Sequence, residues 1–179
     1  LLFATHATAV GAITSIALAA IDTALWDLRC RRAKLPLWRM AGGAKPAIPL
    51  YSTEGGWLHI ETSALVEDAQ AVKAQGFAGS KVKVGKPHLA EDRARLSAVR
   101  AAVGDDFRLM VDANQAFHFH EALLRARMLT EVGITWFEEP MPADDLTGHA
   151  RLAEQSGVPI AVGESLYSPG QFADYMQAR

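Results

Sequence analysis

Residues 107–138 read FRLMVDANQAFHFHEALLRARMLTEVGITWFE, and the hydrophobic period changes twice along them. Phe107–Asp112 is a short apolar run ending in an acid, the pattern of a buried strand. From His120 to Val132 the apolar residues recur at helical spacing, and Gly133 follows as a stop. Ile134–Glu138 is a second β-type run that again ends in an acid. Strand, helix and strand joined this closely make a βαβ unit, whose right-handed crossover sends both strand C-termini to the same end.

The same alternation extends both ways. Upstream, Ala47–Tyr51 (AIPLY) and Ser80–Val84 (SKVKV) read as strands, with helices over Ser63–Gln75 and Ala90–Val103. Downstream come a helix around Leu146–Gln155, a strand at Val158–Gly163 (VPIAVG) and a last helix opened by Pro169. Five strand–helix alternations predict an α/β fold with a parallel sheet. An open doubly wound sheet and a closed barrel both fit. No Gly-x-Gly-x-x-Gly follows the first strand and no Walker loop is present, which disfavours a nucleotide-binding sheet. A (β/α)₈ barrel needs about 250 residues and eight strands. The pattern therefore predicts either the first five units of a TIM-type barrel or a different, open fold.

Composition narrows the function classes. The chain has 179 residues, is 50% hydrophobic, and carries 18 Lys+Arg against 20 Asp+Glu, a formal net charge of −2. Such a balance excludes bulk disorder and shows no basic footprint for nucleic acid or an anionic membrane. The lone Cys30 has no internal disulfide partner, so nothing demands an oxidising compartment. We expect a soluble, cytoplasmic protein. The chain starts Leu1-Leu2-Phe3 without Met, which raises the expectation of an internal piece of a longer polypeptide. Val10–Trp26 is nearly all apolar, but it lacks a basic leader, and Asp22 interrupts it. Ile13, Ile16, Ala17, Ala20, Ile21, Ala24, Leu25 and Leu28 recur every three or four residues, followed by Arg29, Arg31, Arg32 and Lys34. That rhythm predicts a buried core helix with cations at its C-terminus. Gly42-Gly43 and Pro46 mark a boundary, dividing residues 1–45 from 46–179.

The polar residues at the strand ends carry the chemistry. Lys81 and Lys83 are two apart on one strand and share a face, while Val82 and Val84 take the other face and pack on helices. Asp112 ends the third strand, Glu138 ends the fourth, and Glu164 follows the fifth, at equal intervals of 26 residues. One carboxylate per βα repeat predicts three acids on neighbouring strands at one height. Converging carboxylates favour a cation among them, and all-oxygen ligands favour a hard ion such as Mg²⁺. Two ammoniums ~6.5 Å apart repel by roughly 2.5 kcal/mol at an effective dielectric near 20, which draws one towards neutrality and makes it a general base. A base beside a divalent ion suits removal of a proton α to a carboxylate, giving an enediolate. Each feature has a plainer reading alone: a solvated Lys-x-Lys face, an Asp in a turn, acids at strand or helix ends. Their joint spacing is what those readings leave unexplained.

In this order and spacing, KVK (Lys81–Lys83), VDANQ (Val111–Gln115), WFEEP (Trp136–Pro140) and VGES (Val162–Ser165) resemble the mandelate racemase/muconate lactonizing group of the enolase superfamily. AIDTALWDLRCRRAKLPLWRMAGG (Ala20–Gly43) resembles the segment leading from that family's α+β capping domain into its barrel. The resemblance implies a TIM-type barrel of which this chain holds the first five units, with residues 1–45 as the end of the capping domain and the connecting helix. It further implies that Asp112, Glu138 and Glu164 bind Mg²⁺ and that Lys83 is the base. Lys81 would contact the substrate carboxylate and lower its neighbour's pKa, and Asn114 would reach substrate. Glu139 is implied to stand behind the ligands and pair with a lysine, and Ser52 and Thr53 to border the site. The His–Asp dyad and the acid that the family carries on strands six to eight have no match here. His118, His120 and His149 read as loop or helix-surface residues, and His59 is a candidate for a pocket role beside Gly55-Gly56-Trp57.

The implied reaction is Mg²⁺-dependent dehydration of an acid sugar, because YSTEGGWL (Tyr51–Leu58) and GKPH (Gly85–His88) are similar to galactarate/talarate-type dehydratases. A racemase or epimerase, a cycloisomerase, a Schiff-base aldolase and a non-catalytic barrel fragment are the alternatives. The expected partners are a small carboxylate substrate and further copies of the chain, with neither nucleic acid nor membrane.

Overall fold

The structure, a computed structural model, describes residues 11–178. Contacts group them into two units, residues 11–48 with 166–172, and residues 49–165 with 173–178. Among the described residues no helix is long and apolar enough to cross a membrane.

The first unit holds helix α1 (Ala12–Ala33) and the short α2 (Leu37–Met40), the latter not anticipated from sequence. Lys34 stops α1 in the left-handed region (φ 53°), where the N–H groups of Lys34 and Leu35 bond the carbonyls of Arg31 and Cys30. The helix and its basic end are as expected, but its predicted burial is not. Ile13 is 86% exposed and Ile16 58%; Ile21, Leu25 and Leu28 are exposed as well, and only Cys30 is buried. Periodicity reports that one face of a helix is apolar; it carries no information on what covers that face.

The second unit alternates β1 (Tyr51–Ser52), α3 (Thr62–Ala74), β2 (Gly79–Lys83), α4 (Leu89–Val103), β3 (Arg108–Asp112), α5 (Phe119–Val132), β4 (Phe137–Glu138), α6 (Leu146–Ser156) and β5 (Ile160–Ala161). Helix α7 (Pro169–Ala178) follows. The strands are parallel in the order β1-β2-β3-β4-β5. Each new strand adds to the same edge. A doubly wound sheet instead reverses direction at a switch point, so the order selects the barrel branch of the two predicted topologies.

Val82, Leu109, Val111 and Phe137 turn outward into a core with Leu65, Leu96, Val99, Ala126, Leu129 and Leu152 from the helices. The alternate positions are Lys81, Lys83, Met110, Asp112 and Glu138, which therefore share the opposite face. Helix limits fall within about two residues of those expected, whereas β1, β4 and β5 are only two residues long, and β1 overlaps the expected Ala47–Tyr51 only at Tyr51. Apolar residues such as Ile134 and Val158 lie before these strands and are buried in the same core without joining the ladder.

Candidate active site

Register brings three of the five candidate groups level. Lys83 pairs with Asp112 across β2 and β3, and Asp112 with Glu138 across β3 and β4. The next partner in register is Ala161 on β5, not Glu164. The equal spacing of 26 therefore does not express register. Glu164 lies three residues beyond the level and reaches the site from the loop after β5. Even so, one carboxylate oxygen each of Asp112, Glu138 and Glu164 lies within 4.8 Å of the others. Oxygens around Mg²⁺ at about 2.1 Å stand ~3.0 Å apart when neighbouring and ~4.2 Å when opposite, so these three would draw together around one ion. Asp112 is buried, Glu138 half-buried and Glu164 exposed. The donors are all hard oxygens, which fits a magnesium ion better than a softer metal.

Each lysine is hydrogen-bonded to one of these acids. Lys81 Nζ donates to Glu138 Oε1 at 2.6 Å and lies 3.3 Å from Asp112 Oδ2. Lys83 Nζ donates to Asp112 Oδ2 at 2.6 Å and to Asn114 Oδ1 at 2.6 Å. Burial pulls the Lys81 pKa down, but the hydrogen bond and charge of Glu138, with Asp112, carry it above the ordinary lysine value. At Lys81, the carboxylates in hydrogen-bond contact outweigh the cost of burial. Burial likewise pushes Asp112 up, yet the Lys83 ammonium, the Asn114 N–H and the charge of Lys81 hold it below the usual carboxylate range.

Backbone geometry aims this cluster. Asn114, Gln115 and Glu139 all adopt positive φ, at 44°, 65° and 35°. Non-glycine residues pay for that conformation in strain, and it persists here because neighbours fix both turns. The Gln115 N–H bonds the Glu139 carbonyl at 2.7 Å, and the Glu139 N–H bonds the Ala161 carbonyl at 2.9 Å. Glu139 is buried but does not take the lysine partner expected for it. Its carboxylate accepts from Gln115 Nε2, from the Ser165 N–H and from Ser165 Oγ. Gln115 Nε2 also donates to Ser165 Oγ at 2.8 Å, and Gln115 Oε1 accepts from the Ala143 N–H at 2.9 Å. This network, which the sequence reading did not assign, ties the loops after β3, β4 and β5 together and so places Glu164, next to Ser165. Its side chains lie inside the quoted VDANQ, WFEEP and VGES motifs. Trp136 Nε1 adds a bond to Glu138 Oε2 at 3.2 Å.

Gly56 sets the β1 side of the site. Its carbonyl accepts from the Lys83 N–H at 2.7 Å, and a Cβ there would meet the Lys81 carbonyl oxygen at 2.1 Å. Gly56→Ala is therefore expected to push this loop off β2 and destabilise the protein by about 1–3 kcal/mol, read by urea unfolding. Loss of less than about 0.5 kcal/mol would show that the loop yields without cost. The remaining candidates are scattered. Ser52 accepts weakly from the Glu54 N–H at 3.4 Å. His59 lines a cleft with Lys83. His118 precedes α5 and His120 lies on it, whereas His149 is buried, not on the surface, because its Nδ1 turns in to the Asp145 carbonyl at 2.8 Å.

Comparison with known proteins bears on this arrangement. Residues 64–179 match the family described as enolase C-terminal domain-like, and residues 2–42 match the mandelate racemase/muconate lactonizing enzyme N-terminal domain. The L-talarate/galactarate dehydratase of Salmonella typhimurium is 43% identical over 152 residues, 85% of this chain and 38% of that protein. The 3,6-anhydro-alpha-L-galactonate cycloisomerase of Streptomyces coelicolor is 41% identical over 174 residues, covering 97% and 48%. The Salmonella dehydratase in its crystal structure liganded with Mg and L-lyxarohydroxamate superposes with a TM-score of 0.92 at 38% identity, over 99% of this chain and 46% of that one. The chain thus spans less than half the length of these relatives.

Proposed function

Because the chain belongs to the mandelate racemase/muconate lactonizing family of enolase-like proteins, we propose that the protein dehydrates an acid sugar by first removing the proton next to its carboxylate. The observation that carries this reading is the meeting of three carboxylate oxygens within 4.8 Å beside two lysines on one strand. Asp112, Glu138 and Glu164 would hold Mg²⁺, whose Lewis acidity stabilises negative charge developing on the substrate carboxylate. Residues 1–45 are assigned to the end of a capping domain and 46–179 to the first part of the barrel.

Lys83, in its neutral form, takes the α-proton onto Nζ. Asn114, bonded to that nitrogen, orients it. The electron pair of the broken C–H bond forms a C=C bond as the hydroxyl on the next carbon, once protonated, leaves as water; the resulting enol then tautomerises to a 2-keto acid. Lys81 supplies a fixed positive charge for the substrate carboxylate. The hydroxyl's proton comes from an acid that the residues named here do not provide. The dehydratase reading is supported by the Salmonella relative; an isomerase reading is supported by the cycloisomerase relative and shares the first step.

The test is incubation of the protein at its natural length with a panel of sugar mono- and diacids in Mg²⁺, with detection of 2-keto acid. Exchange of the α-hydrogen with deuterium from solvent, without keto acid, would favour racemisation or epimerisation instead. Chelation by EDTA is expected to lower turnover at least a hundredfold, with recovery on adding Mg²⁺, and Glu138→Gln should lose that recovery at millimolar Mg²⁺. Activity unchanged by EDTA would remove the metal from the reading.

A further inference from the structure

Two acids of the cluster have their oxygens sorted by the kind of donor each accepts. Asp112 Oδ1 accepts the Asn114 N–H at 2.9 Å, and Glu138 Oε2 accepts the Trp136 indole N–H at 3.2 Å. The other two oxygens face positive charge: Asp112 Oδ2 takes the Lys83 ammonium at 2.6 Å, and Glu138 Oε1 takes that of Lys81 at 2.6 Å. Lys81 Nζ also lies 3.3 Å from Asp112 Oδ2, so one ammonium bridges both acids through a single oxygen of each. A neutral N–H thus holds one oxygen of each carboxylate, and a cation is met by the other.

The two neutral donors are fixed in different ways. The Asn114 N–H belongs to the backbone two residues beyond Asp112, where a turn at φ 44° delivers it. The Trp136 donor is on a side chain, and its position depends on neighbours. The Trp136 carbonyl accepts the Val111 N–H at 3.1 Å, which ties its backbone to β3. Tyr51 of β1 meets the indole edge-on, with ring centroids 5.4 Å apart at 82°. Such an edge contact restrains the ring that carries the N–H. How the carboxylate is turned matters for the choice of ion. Mg²⁺ takes six oxygens at about 2.0–2.1 Å, whereas Ca²⁺ takes six to eight at about 2.3–2.6 Å and commonly uses both oxygens of a carboxylate. Donors behind a ligand orient it and so tune which metal it suits.

We propose that Trp136 is a positioning residue that selects the ion: its indole N–H, braced by Tyr51, holds Glu138 to ligation through one oxygen and so disfavours Ca²⁺ against Mg²⁺. The proposal rests on the metal assignment made for Asp112, Glu138 and Glu164 and specifies how the ion is chosen. Dissociation constants for Mg²⁺ and for Ca²⁺, measured by calorimetry on the natural-length protein without substrate, test it. Trp136→Phe keeps an aromatic ring and loses the N–H; it should lower the ratio of the Ca²⁺ constant to the Mg²⁺ constant about three- to thirtyfold. Tyr51→Ala, at an exposed residue, should lower the ratio by a smaller factor, and Tyr51→Phe, which keeps the ring edge, should leave it unchanged. A merely structural role would weaken both ions alike. An unchanged or raised ratio in Trp136→Phe, or in Tyr51→Ala should the first variant not fold, would overturn the selection while leaving the metal assignment standing. A wild type that binds no Mg²⁺ would overturn that assignment and the selection with it.

Discussion

Replacing Lys83 with methionine in the natural-length protein is expected to lower kcat by about 10²–10⁴-fold, the range typical for loss of a general base. Methionine keeps the unbranched stem but accepts no proton. Lys83→Arg is expected to fall as far, although it keeps the charge against Asp112, because a guanidinium does not lose its proton near neutral pH. That pairing of variants separates a base from a positive charge. Magnesium affinity, measured by calorimetry, should hold or rise in Lys83→Met, since the ammonium that bonds Asp112 at 2.6 Å is gone. A loss of kcat below tenfold, or an active arginine variant, would strip Lys83 of the role.

The second large effect falls on stability. Asp92 and Arg125 are almost wholly buried, with side chains 0% and 3% exposed, and they join α4 to α5 beneath the loop after β2. Arg125→Met leaves the Asp92 carboxylate with two backbone N–H donors and only the charge of Arg95, which does not bond it. Removing one partner of such a pair costs about 3–5 kcal/mol, to be read from urea unfolding. Asp92→Leu combined with Arg125→Met should recover part of that loss, because an apolar pair no longer buries a lone charge. The recovery stays incomplete, since the N–H groups of Gly85 and Lys86 then lack their acceptor. A single Arg125 variant that unfolds within 1 kcal/mol of wild type would show that water reaches Asp92.

Much of the site follows from local pattern. The alternation of period places Lys83, Asp112 and Glu138 at the ends of three successive parallel strands, and register then brings Asp112 level with both. Glu164 is different. Its equal spacing suggested the same level, yet its register partner position is occupied by Ala161, and the approach of Glu164 depends on Glu139, Gln115 and Ser165 locking three loops. The partner of Glu139 was misassigned for the same reason: a buried acid bonds whatever donor the fold brings to it, and sequence separation does not reveal which. Helix α1 shows the other limit, an apolar stripe read correctly as helix and wrongly as buried.

Composition and periodicity by themselves determined the strand–helix alternation, the residue types at the strand ends, and so the hard-oxygen and lysine chemistry available there. These are short-range properties, set by backbone sterics and by which side chains alternate across a pleat. The tertiary structure alone decided that successive strands add along one edge, that Glu164 reaches in from a loop, and that Asp92 and Arg125 pin the loop after β2. Those outcomes depend on contacts between residues distant along the chain, whose energies arise only once desolvation and packing have brought the partners together.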